Sequence, residues 1–123
     1  MSRKILVADD NTASRELIRE VLEMSGYDVV EAADGADAVS RARENALDLV
    51  LVDIQMPRLD GYGVLRELRA DPRLSGLHVV ALTAFAMQGD RERALDAGFD
   101  GYITKPVEIA ALRQEIKKFF VTP

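Results

Sequence analysis

Five polar residues each come directly after a short strand-like run. KILVAD ends on Asp9 and Asp10 follows it, LDLVLVD ends on Asp53, HVVALT ends on Thr83, and DGYIT runs into Lys105-Pro106. Together they supply three carboxylates, one hydroxyl and one ammonium. Carboxylates held close repel one another and gain proton affinity unless a cation relieves them. A hard divalent ion with oxygen ligands does so, and two or three carboxylates plus waters suit Mg²⁺ better than a complete Ca²⁺ cage. A carboxylate can also act as a nucleophile and carry a phosphoryl group as an aspartyl-phosphate. That transfer needs its equatorial oxygens neutralised, by a metal on one side and a lysine or hydroxyl donor on the other.

The elements that must carry these residues alternate regularly. Leu49 to Val52 form an unbroken apolar run, the pattern of a strand covered on both faces. Strands are expected over 4–9, 28–33, 47–53, 78–83 and 100–104. Between them, Leu17, Ile18, Val21 and Leu22 recur at helical spacing after a candidate cap, Asn11, and before Gly26. Ala38, Val39 and Ala42 mark a second helix, and Val64, Leu65 and Leu68 a third that stops before Asp71-Pro72. A fourth runs from about Arg91 to Ala97 and ends at Gly98. In a fifth, Ile109, Leu112, Ile116 and Phe119 are expected to face the core.

Five strand–helix repeats predict an α/β fold, a doubly wound (βα)5 parallel sheet with helices on both faces. The flavodoxin-like strand order 2-1-3-4-5 is the favoured one at this length. In such a sheet ligands bind at the carboxyl ends of the strands, beside the point where strand order reverses, here between strands 1 and 3. All five polar residues fall on that edge.

Composition removes other classes. A length of 123 residues predicts a single domain, 1–123, able to bury one core. The net charge of −5 argues against a duplex-binding face, so no direct nucleic-acid binding is expected. Cysteine is absent, which removes thiol nucleophiles and thiolate metal sites and fits a cytoplasmic location. No apolar run approaches the ~20 residues of a membrane span. His78, the sole histidine, starts a strand without an evident partner and reads as structural, and Met56 and Met87 read as gap-fillers.

At these residues the sequence resembles the CheY-like receiver domain of bacterial two-component response regulators. DD follows strand 1, D ends strand 3 ahead of MP and DG, TA follows strand 4 and KP follows strand 5. The run from Thr83 to Pro106 is most similar to single-domain cell-division regulators of the DivK type and to receivers of hybrid kinases. The resemblance implies that Asp53 accepts a phosphoryl group from a phosphohistidine on a sensor histidine kinase or histidine phosphotransfer protein. It implies Mg²⁺ on Asp10, Asp53 and the backbone carbonyl of Gln55, with Asp9 acting through a water on the ion. It implies Thr83 and Lys105 as donors to the phosphoryl group, Thr83 and Tyr102 as the switch pair, and a cis peptide before Pro106. Gln55 and Phe85 stand where receivers vary and bear on the lifetime of the phosphate. The output surface would be the fourth helix, fifth strand and fifth helix, read by a downstream protein or by a second copy of this chain.

Two rivals fail on spacing. A haloacid-dehalogenase-type phosphatase places a second Asp two residues after its nucleophile, and Gln55 stands there instead. GYGVLR, 61–66, has two glycines of a dinucleotide fingerprint but Arg66 in place of the third, and it follows no strand. Whether the receiver stands alone or belongs to a hybrid kinase or larger regulator stays open on the sequence.

Overall fold

The computed structural model describes residues 3–84 and 87–120. Five strands, β1 (Lys4–Ala8), β2 (Asp28–Ala32), β3 (Leu49–Asp53), β4 (His78–Thr83) and β5 (Gly101–Thr104), alternate with five helices. These are α1 (Thr12–Met24), α2 (Gly35–Glu44), α3 (Gly61–Ala70), α4 (Asp90–Ala97) and α5 (Ile109–Phe120). The strands form one parallel sheet in the order β2-β1-β3-β4-β5. The expected doubly wound topology is therefore present, with β1 and β3 adjacent at the centre.

β3 explains the sheet's construction. Alternate side chains of a strand point to opposite faces. Val50 and Val52 join one apolar cluster with α2, α3 and Ala94 of α4, while Leu49 and Leu51 join another with α1 and α5. All four are fully buried, so a run of Leu and Val without polar interruption is what a two-sided cover requires.

Helix starts are set by short polar side chains. Asn11, Asp34 and Asp60 each cap a helix by accepting the N–H three residues on, which satisfies a donor that no helix turn can reach. Gly26 and Gly98 end α1 and α4 with positive φ of 95° and 117°, where a side chain would be strained.

Four expectations need correction. Strand 1 ends at Ala8 rather than Asp9, although the Asp9 N–H still bonds the Ala32 carbonyl. Ile109 is 47% exposed, because it begins α5 ahead of Leu112 and Ile116, the two residues that reach the core. Met56 is buried as a gap-filler, but Met87 lies 74% exposed before α4. His78 is not unpartnered: its ring lies 4.9 Å from that of Phe119 and its Nδ1 4.0 Å from Asp100. Phe85 lies outside the described residues.

Candidate functional site

Register brings the site together. Ala8 is opposite Val52, and Asp53 is opposite Leu82, so Asp9, Asp53 and Thr83 leave three neighbouring strands at one level. Thr83 is opposite Thr104, which delivers Lys105 from β5 to the same edge. The Lys105–Pro106 peptide bond is cis.

Asp9 and Asp53 are buried and Asp10 is exposed. The three offer carboxylate oxygens that all lie within 4.8 Å of one another. Lys105 Nζ reaches two of them, donating to Asp53 Oδ2 at 2.6 Å and lying 2.7 Å from Asp9 Oδ2. The second contact is an ion pair without the direction of a hydrogen bond, since Asp9 Oδ2 has no hydrogen-bond partner among the described residues. Each acid is also held by the chain that follows it. Asp9 Oδ1 accepts the Asn11 N–H at 3.0 Å, and Asp53 Oδ1 accepts the Gln55 N–H at 2.9 Å.

The charges are poised against one another. Burial pushes the Asp53 carboxyl above its ordinary value, with Asp9 adding to the rise; the hydrogen bonds and charge of Lys105 and the Gln55 amide oppose it without cancelling it. Burial alone would lower the Lys105 ammonium, yet its hydrogen bond to Asp53 and the negative charges of Asp53 and Asp9 leave it raised, hence charged at neutral pH. A carboxylate with a partly buried ammonium beside it and two further acids around it is an oxygen donor set that a hard cation fits.

Thr83, 1% exposed, donates its hydroxyl to Gln55 Oε1 at 3.0 Å. Both line a cavity of about 150 Å³ with Tyr62 and Tyr102. Tyr102 is half-buried, and its hydroxyl has no hydrogen-bond partner among the described residues.

Two residues of the site, Arg15 and Gly61, and one contact, made by the Gln55 side chain, were not foreseen. Arg15 Nη1 donates to the Asp9 carbonyl at 2.7 Å while its Nε holds Glu31 at 3.1 Å, steadying the loop that carries the acids. Its place four residues after the Asn11 cap was a usable signal, as side chains so spaced share a helix face. The side chain of Gln55 gave no signal of its bond to Thr83. Gly61 approaches the backbone of Asp53 and Ile54 so closely that an added Cβ would lie 2.8 Å from the Asp53 carbonyl oxygen and 2.7 Å from Ile54 Cα.

A family model of the response regulator receiver domain matches residues 5–117. The chain belongs to that family. The receiver is 37% identical over 119 residues to the polar-differentiation response regulator DivK of Brucella abortus, covering 97% of each chain. It is 38% identical to the receiver domain of a sensor histidine kinase from Pseudomonas aeruginosa, whose structure has a magnesium ion coordinated in the active-site cleft. That match has a TM-score of 0.88 and covers 97% of this chain and 98% of that one. The chemotaxis protein CheY4 of Vibrio cholerae, 24% identical with a TM-score of 0.90 over 97% of this chain and 99% of its own, shares the fold. The receiver thus belongs to two-component signalling, in a family whose members are generally not conventional enzymes, and among the described residues no helix is long and apolar enough to cross a membrane.

Proposed function

We propose that this receiver is a phosphorylation-driven switch whose acceptor is Asp53. The observation that carries the reading is the Asp53 carboxylate itself, buried at a strand end, gripped by Lys105 at 2.6 Å and flanked by Asp9 and Asp10. In the reaction an Asp53 oxygen attacks the phosphorus of a phosphohistidine; the P–O bond forms, the P–N bond breaks, and its electron pair returns to the imidazole. Asp10, Asp53 and the backbone carbonyl of Gln55 would hold Mg²⁺, with Asp9 close behind, and the ion would neutralise the phosphoryl oxygens. Lys105 balances the remaining charge by turning from the carboxylates to the transferred group, and Thr83 supplies a hydrogen bond. Hydrolysis of the acyl phosphate at the same place resets the switch.

The donor is a histidine kinase or phosphotransfer protein, acting in the cytoplasm. Whatever presents the phosphohistidine has to come within bonding distance of Asp53, so the surface around Lys105 is in contact during transfer. A groove of about 670 Å³ runs there past Leu17, Ala84, Pro106 and Val107, an apolar seat for such a partner. The residues 1–123 act as one receiver unit, and the output is a change in binding at the face of α4, β5 and α5.

Acetyl phosphate with Mg²⁺ tests the chemistry. The protein gains one acid-stable, base-labile phosphoryl group and Asp53→Asn gains none; equal labelling of that variant would remove Asp53 as the acceptor.

A further inference from the structure

We infer that Gln55 is a latch that holds the switch off by occupying the Thr83 hydroxyl. The inference rests on the phosphorylation reading above and adds to it a residue that opposes the response. Thr83 Oγ1 donates to Gln55 Oε1 at 3.0 Å. A hydroxyl has one proton to give, so the same proton cannot also reach a phosphoryl oxygen on Asp53. The bond is partly buried, with Thr83 1% exposed beneath an exposed Gln55.

Gln55 is well placed for this. Its backbone N–H holds Asp53 Oδ1 at 2.9 Å while its side chain holds Thr83, so one residue grips both groups that the reaction rearranges. Its side chain is otherwise exposed, which means its replacement opens no cavity in the core. A bond to a charged phosphoryl oxygen is roughly twice as strong as one to a neutral amide, so phosphorylation wins the hydroxyl, but only by the difference. Gln55 therefore sets how much of that bond remains to drive the change. Its side chain bonds Thr83 rather than the Asp53 carboxylate and is a positioning group.

The sign follows. Removing the side-chain carbonyl of Gln55 raises the affinity for a phosphoryl group at Asp53, by about two- to tenfold for the net value of one neutral hydrogen bond. Gln55→Met keeps the length and drops the acceptor. The measurement is the apparent dissociation constant of beryllofluoride, a phosphoryl mimic, at saturating Mg²⁺, read from backbone amide NMR shifts. It is made on wild type, Gln55→Met, Thr83→Ala and the double variant. Tighter binding in Gln55→Met, with no further gain on adding that change to Thr83→Ala, establishes the latch. Unchanged or weaker binding in Gln55→Met overturns it, and so does an equal gain without the Thr83 hydroxyl, which would mean that Gln55 acts on the mimic directly. If wild type and Asp53→Asn respond alike, the phosphorylation reading itself falls, and the latch with it.

Discussion

Tyr102 shows what a single side chain contributes to a poised site. Its hydroxyl is buried without a hydrogen-bond partner among the described residues, a state that normally costs about 1–3 kcal/mol. Burial, followed by the charges of Asp90 and Tyr62, raises its phenol above the ordinary 10.0, and Arg91 opposes the rise. A raised value means that the phenol's contribution to stability is intact below pH 10 and is lost as pH climbs through the folded-state value. Tyr102→Phe should accordingly be neutral or more stable by up to ~1 kcal/mol at pH 7 in a denaturant titration. The phenolate absorbance that this variant lacks should titrate above pH 10; a midpoint at or below 10 would contradict the buried hydroxyl. Sequence and structure part company at this scale in an instructive way. Asp9, Asp10, Asp53 and Lys105 can be placed from the sequence because each is a charged residue at the end of a strand-like run. The orphaned Tyr102 hydroxyl and the Gln55–Thr83 bond cannot, since they depend on rotamers and on which strand lies alongside.

At the scale of elements, the N-terminus of α3 sets the backbone of Asp53, the proposed acceptor. Asp60 caps the helix through the Gly63 N–H at 2.9 Å, and the Gly61 N–H bonds the Ile54 carbonyl at 3.0 Å. A Cβ on Gly61 would press on main-chain atoms of Asp53 and Ile54, which cannot swing aside as a side chain can. Gly61→Ala should therefore cost about 1–3 kcal/mol, a typical overpacking penalty, and should slow labelling of Asp53 by moving its carboxylate. Gly76→Ala is the control, because a Cβ there would meet nothing within 4 Å. Equal stability losses for the two would show that replacing a glycine as such, not close approach, decides. GYG in the sequence invites comparison with a nucleotide fingerprint; the first of its glycines serves instead to let a helix start against the loop after β3. Arg69 was equally hidden. It bonds the carbonyls of Leu77 and Gly98 and the carboxylate of Asp100, tying α3 to loops up to 31 residues away. Apolar periodicity reveals which helices exist and which face they bury, but not a polar tie of that span.

For the whole molecule, the two apolar clusters and the central strands form a frame in which α4 is the lightly held part. Only Ala94 of α4 is buried, and its N-cap residue, Gly89, provides no side-chain cap. Elements with few buried contacts open and shift most readily, so a signal from the proposed site would leave by that route at the least cost. Thr83 ends β4, and Tyr102 sits on β5, which pairs with β4 and packs between α4 and α5. On the proposed mechanism the Thr83 hydroxyl would turn to a phosphoryl group and reshape the cavity it shares with Tyr102, whose ring lines that cavity. The proposed change would be a shift between two packings, limited by how differently the phosphoryl group favours each. With beryllofluoride and Mg²⁺, amide shifts should accordingly concentrate in α4, β5 and α5 and leave α2 largely unmoved. Thr83→Ala should still accept a phosphoryl group on Asp53, more slowly, yet lose most of the shift at Tyr102 and along α5. If its β5 and α5 signals move as far as those of wild type, the hydroxyl is not the link, and the coupling must run through Lys105 and the loop that follows β5.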